Sequence, residues 1–144
     1  MSASTDRLDR MISGTHLPSP CGVSMSLPVV QGYEPGRIWY DWDVDPRFIN
    51  SFGSLFGGYT SALLDDAATH ATFSVLPDDR GCVTSDLRIS LFRPAFAGET
   101  LHMEAVVINQ SRSSHHVECT LTRKQDGKMI AKATAIVSLF AKAG

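Results

Sequence analysis

A chain of 144 residues with 43% apolar and 19% charged residues is long enough to bury one core and too apolar to be disordered. Its formal net charge of −2 lacks the basic surplus that nucleic acid or an anionic membrane attracts, so neither is an expected partner, and an anionic ligand would need a local cluster. Cys21, Cys82 and Cys119 are odd in number and never in a CxxC spacing, which points to isolated thiols in a reducing compartment and away from a disulfide or zinc site.

The chain opens MSASTDRLDRMISG, without a signal-peptide hydrophobic region, and no apolar run approaches the roughly 18 to 20 residues of a membrane span; a cytoplasmic protein is expected. Residues 1–35 carry Pro18, Pro20, Pro28 and Pro35 among glycines and serines, the composition of an extended arm with one short helix at Asp6 to Ile12. The remainder, 36–144, reads as one domain. RIWYDWDV, Arg37 to Val44, alternates as a strand, and Pro46 interrupts it. Asp45 to Ser54 is a loop into the one long helical pattern, Phe56 to about Leu76, closed by Pro77. Apolar residues occur all around that helix, as expected when protein surrounds it. After Gly81 the period becomes two. VTSDLRISLF puts Val83, Ser85, Leu87, Ile89 and Leu91 on one face; LHMEAVVINQ, HHVECTLTRK and KMIAKATAIVSLF supply three more strands, with Asp126-Gly127 marking a tight hairpin. A buried helix followed by a four-strand antiparallel meander predicts an α+β domain whose sheet wraps the helix.

Local rules are broken in one place. Gly57 and Gly58 stand at the front of the helical pattern, where glycine costs roughly 1 kcal/mol against alanine in a helix interior. Two readings fit them: tight packing of helix on sheet, or close approach of a ligand to the unpaired N–H groups of a helix N-terminus. Asp65 and Asp66 lie among alanines and leucines, where charge is costly to desolvate and where a carboxylate stripped of water becomes a stronger base or nucleophile. One helical step of about 100° separates them, so they cannot share a face. Asp66 and His70, four apart, form a structural pair; they lack the further ligands of a metal site. Trp39, Trp42 and Phe48 are assigned to core or interface, and His115 and His116, on opposite strand faces, to no role.

NxxGxxxGGxxxxLLD, here Asn50 and Gly53 through Gly57-Gly58 to Leu63-Leu64-Asp65, resembles the hotdog-fold acyl-CoA thioesterases, in particular the phenylacetate-pathway and acyl-CoA thioesterase 13-like group. The resemblance continues through VTSDLRISLFRPAFAGETL into QDGKMIAKATA and spans roughly residues 36–140. It implies hydrolysis of an acyl-CoA thioester without metal or organic cofactor. The matching positions are Gly57 for the N–H that holds the carbonyl oxygen, Asp65 for the acid that drives hydrolysis, Asn50 for a residue that positions nucleophile or substrate, and Thr84 for a helper hydroxyl that is often serine. Phe56 and Gly58 fall beside the substrate, and Arg93 with Ser111, Arg112 and Ser113 fall where relatives contact the nucleotide and pantetheine of coenzyme A; a solvated turn suits the latter residues equally. Most members of the resembled family carry histidine before the two glycines. Phe56 in its place either weakens catalysis or only reshapes the acyl pocket.

Asp65 lies eight residues after Gly57, about 12 Å along a helix, too far for both to hold one reacting carbon. The acid of one subunit is therefore expected to face the glycine N–H of another across a two-fold interface, in a homodimer that pairs further into a dimer of dimers. The alternatives are a non-catalytic acyl-CoA binding or regulatory module, motivated by Phe56, and a hydratase, whose loop signature of Asp closely followed by histidine is missing.

Overall fold

In the computed structural model, which describes residues 2–143, the chain runs α1 (Ala3–Ser13), α2 (Pro20–Ser24), β1 (Gly32–Glu34), β2 (Arg37–Asp43), a 3₁₀ turn (Pro46–Phe48), α3 (Gly57–Phe73), β3 (Arg80–Leu91), β4 (Thr100–Gln110), β5 (Ser114–Arg123) and β6 (Met129–Ala141). The strands form one antiparallel sheet in the order β1-β2-β4-β5-β6-β3, and α3 packs against β2 through β6 on one face. Leu63, Leu64, Ala67, Ala68 and Ala71 of α3 share a core with Ala105, Val117, Cys119, Leu121, Ala131, Ala133 and Ala135 of the sheet. Alanines on both sides let the helix sit close, and the Cys119 thiol donates to the Leu64 carbonyl at 3.6 Å. The α+β expectation therefore holds. No helix among the described residues is long and apolar enough to cross a membrane.

Pairing departs from the predicted meander. β4, β5 and β6 follow one another as neighbours, with Gly127 at φ 72° in the last turn, but β3 lies at the sheet edge beyond β6, and β2 takes the place beside β4. The connection over residues 92–99, with its proline, exceeds a hairpin loop of about two to five residues, so β3 and β4 need not be adjacent. The predicted apolar face of β3 also breaks. The register shifts between Thr84 and Asp86, a β-bulge at Ser85. Leu87 and Ile89 pack on the core together with Cys82, whereas Val83 and Leu91 are exposed. One extra residue reverses which side chains face the helix on either side of it, which turns Val83 outward; Leu91 keeps the parity of Leu87 and Ile89 and borders the open cavity beside Gly57.

The first 35 residues are more ordered than an extended arm. Ser2 caps α1 by accepting from the Thr5 N–H at 3.0 Å, and the helix extends past the predicted Asp6 to Ile12 until Gly14 ends it at φ 78°. Leu8 and Met11 enter the main core. Proline at the first position and Ser19 as cap start α2. Pro35-Gly36, with Gly36 at φ 84°, turns β1 onto β2, a short strand that the sequence reading left within the arm. A Cβ on Gly32 of β1 would collide with the Trp39 indole, over whose ring the Arg37 guanidinium lies at 4.6 Å. Helix α3 ends at Phe73, short of Leu76: the residue before Pro77 is pushed from helical backbone, and the preceding residues tighten into i to i+3 bonds.

Candidate active site

The loop before α3 is organised by Asn50. Its side-chain oxygen accepts from the N–H of Phe52 (2.9 Å) and Ser54 (3.2 Å), its amide donates to Ser54 Oγ (3.2 Å), and Gly53 adopts φ 89° to close the turn. Leu55 N–H donates to the Ala95 carbonyl and Phe56 N–H to the Phe48 carbonyl, which fixes where the helix starts. Phe56 is then the N-cap, in extended backbone, with no side-chain oxygen to offer the helix. Tyr59 and Thr60 N–H groups bond the Phe56 carbonyl; among the described residues the Gly57 and Gly58 N–H groups meet no acceptor. They are two of the orphan donors that every helix start leaves.

Both packing and access act on the glycines. A Cβ at Gly58 would lie 2.5 Å from the Phe56 ring, so a side chain there would push the exposed phenyl out of the place it takes. A Cβ at Gly57 would meet only the mobile end of Leu91, at 2.9 Å. Gly57 lines a cavity of about 320 Å³ together with Asn50, Thr60, Leu91 and Arg93. Thr60 and Leu91 were not singled out from the sequence; their patterns read as helix and strand like any other.

Asp65 sits two turns further along α3, half-buried, and accepts a hydrogen bond from Thr84 Oγ1 at 2.7 Å. The β3 bulge is what makes this possible: it lets Thr84 and Leu87 face the helix together, which strict alternation forbids. Asp65 lines a different cavity, of about 310 Å³, between α3 and the N-terminal arm. Within one chain the structure thus joins Asn50 with Gly57 and Arg93, and Asp65 with Thr84, but does not join the two sets.

Asp66 borders the same cavity as Asp65, contrary to the expectation that the two share no face, and its carboxylate lies 3.4 Å from His70 Nδ1, with His70 buried beneath the arm; no third ligating side chain joins them among the described residues. Arg93 donates to the Met129 carbonyl at 2.9 Å. Ser111, Arg112 and Ser113 form the β4–β5 turn, where Ser113 receives the Leu139 N–H and Arg112 borders a third cavity beside Arg80 and His115. The 12-residue β3 runs from that end of the sheet almost to Arg93, so about 36 Å, 11 steps at roughly 3.3 Å per residue, separates the ends where Arg112 and Arg93 lie. One chain does not bring these predicted coenzyme-contacting groups together. Trp42 and Phe48 serve packing, flanking Tyr59 at 5.6 and 3.7 Å.

Burial tunes the surrounding groups. It pushes the Tyr59 phenol up to about 12, so it stays a donor, to the Met25 and Ser26 carbonyls at 2.9 and 3.2 Å. The Cys119 thiol is likewise pushed up to about 12, chiefly by desolvation, and Cys82 is raised for the same reason, which leaves both poor nucleophiles. Desolvation lowers the His115 pKa, and its Nδ1 is enclosed without a partner among the described residues.

A sequence model of the Thioesterase superfamily matches residues 52–130. Human acyl-coenzyme A thioesterase 13 is 33% identical over 100 residues, which span 68% of this chain and 69% of that protein. A phenylacetic acid degradation-related protein from Ralstonia eutropha JMP134 is 30% identical to this chain, covering 92% of it and 98% of its own, with a TM-score of 0.77. A Streptococcus mutans protein solved with acetyl-CoA bound shares the fold at 23% identity and a TM-score of 0.71, over 78% of this chain and 88% of its own. With one sheet wrapped about one long helix and a family match covering more than half of its length, the chain belongs to the thioesterase superfamily and has the hotdog fold.

Proposed function

We propose that the protein hydrolyses acyl-CoA thioesters to the free acid and coenzyme A, at sites shared between two copies of the chain. The observation that carries this reading is the separation on α3 of an unpartnered Gly57 N–H from an Asp65 carboxylate held by Thr84. Each group is suited to one half of thioester hydrolysis, and only a second copy can bring both to one carbonyl carbon. The similarity to human acyl-coenzyme A thioesterase 13 supports the substrate class.

Pairing of chains is supported by the free edge of β3, which has no neighbour strand among the described residues, and by exposed Val83, Leu91, Phe92 and Phe56 along that side. Further pairing into a dimer of dimers rests on the family resemblance. In the dimer, Asp65 of the partner subunit takes a proton from water, and the water oxygen attacks the thioester carbonyl. The oxyanion accepts the Gly57 N–H at the positive end of α3. Collapse breaks the carbon–sulfur bond, and the proton held by the carboxylate leaves with the coenzyme A thiolate. Direct attack by the carboxylate, with water then cleaving the acyl-aspartyl anhydride, uses the same groups. Asn50 and Thr84 position the carbonyl and the carboxylate, Phe56 and Gly58 border the substrate, and Arg93, Ser111, Arg112 and Ser113 meet the nucleotide and pantetheine from different subunits.

Thiol release from a panel of acyl-CoAs, wild type beside Asp65→Asn, tests the reading: turnover that collapses in the variant is expected. A specific observation favours a second reading, that of an acyl-CoA binding module. Phe56 places an apolar ring at the helix start, where the family resemblance leads one to expect histidine in most members, and it packs on Gly58. Saturable acyl-CoA binding without thiol release from any member of the panel would select it.

A further inference from the structure

The cavity beside Asp65 has a wall that the thioesterase chemistry leaves unused. Cys21, Met25 and Leu27 of the N-terminal arm face Ala62 and Asp65 of α3 across it. The arm is fixed at this point. Tyr59 of α3 donates to two successive arm carbonyls, Met25 and Ser26, and Ser26 is held at φ 49°, a left-handed conformation that a residue with a side chain adopts only when its surroundings impose it. Ser19 caps the turn that presents Cys21, and Arg7 lies over the Phe73 ring at the rim, 5.4 Å from its centroid.

Charge assigns the two cavities to different parts of a thioester. The cavity at Gly57 contains Arg93 and no carboxylate, and suits the coenzyme A side; the cavity at Asp65 contains Asp66 as well and only Arg7 against them, so its carboxylates outnumber its guanidinium and disfavour phosphate. The acyl group is the uncharged part. We infer that the arm wall formed by Cys21, Met25 and Leu27 is the acyl-length gauge of the site, accepting medium-length or aromatic acyl groups and stopping longer ones. This rests on the thioesterase reading above. The volume of about 310 Å³, at the ~30 Å³ that a water-sized group occupies in a liquid, holds about ten non-hydrogen atoms.

Cys21 is exposed and carries a free thiol, so it can be enlarged or alkylated without disturbing the core. The first experiment compares kcat/KM over a series from acetyl- to palmitoyl-CoA for wild type, Cys21→Trp and Met25→Ala. Each methylene that loses its burial costs about fourfold. Cys21→Trp is therefore expected to lower decanoyl-CoA turnover by about tenfold or more while acetyl-CoA changes less than about twofold, and Met25→Ala to move the optimum to longer chains. A uniform change across the series, or none, overturns the gauge while leaving hydrolysis itself intact. The second experiment needs no turnover. N-ethylmaleimide alkylation of Cys21 is followed by peptide mass spectrometry in the Asp65→Asn protein. Decanoyl-CoA is expected to slow alkylation severalfold and acetyl-CoA to leave it unchanged; equal rates with both overturn the inference even in a chain that hydrolyses nothing.

Discussion

Thr84→Val removes one hydroxyl, keeps a β-branched side chain of nearly the same shape in β3, and deletes the 2.7 Å hydrogen bond to Asp65. A hydrogen bond to a charged group contributes about 1.5–3 kcal/mol, twice or more the value between neutral groups. If the reaction depends on Asp65 being held in that orientation, kcat/KM falls by roughly 10- to 150-fold, at about 1.4 kcal/mol per factor of ten. Thermal unfolding shifts little, because Thr84 is only half-buried and Asp65 can turn to water in the resting protein. The decisive assay is a double-mutant cycle in thiol release. In the Asp65→Asn background the residual rate has no carboxylate for Thr84 to orient, so adding Thr84→Val is expected to cost less than about threefold. The same large loss in both backgrounds would refute the reasoning: Thr84 would then touch the substrate directly, and the bulge that turns it toward α3 would serve a different end.

Stability, pH and assembly give three more tests. Leu64 is fully buried between α3 and β5, and Leu64→Ala is expected to cost about 2–5 kcal/mol, or about 10 °C of melting temperature at 3 kcal/mol for a chain of this size, measured by calorimetry. Burial lowers the His115 pKa, so below the ordinary value near 6.5 the unfolded chain binds a proton that the folded chain refuses. The stabilising contribution is thus full above that pH and is lost as pH falls through the folded value; His115→Phe should flatten the decline of the unfolding midpoint from neutral pH toward pH 5, and an unchanged slope would assign it to other groups. Val83→Lys sets a charge beside the free edge of β3 and should shift the protein toward monomer by light scattering, with thiol release lost in parallel; a monomer that retains full activity would contradict a shared site.

The candidate site was legible where chemistry needs a particular residue type at a particular spacing. Gly57-Gly58 and Asp65 stood out because each violates what a helix would choose on local grounds, and the distance between Gly57 and Asp65 along the helix implied a second copy; Asn50, a residue that loops readily take, was picked out only by the family resemblance. Arg93 and Arg112 could be named but not placed, since their separation by the length of β3 depends on which strands pair.

What the sequence alone determined was the period of two along β2, β4, β5 and β6, the long helix with apolar residues on every side, the Asp126-Gly127 turn and the motif around Gly57. These are short-range properties, set by side-chain period and backbone freedom within a few residues. Tertiary structure decided three things: β3 joins β6 and not β4, an added residue at Ser85 turns Thr84 toward Asp65, and the first 35 residues close over α3. A period of two fixes which face a side chain takes but says nothing about the neighbouring strand. A bulge shows only against its partner's register. An arm rich in proline reads as open chain until Leu8, Met11 and Tyr59 provide the distant contacts that hold it down.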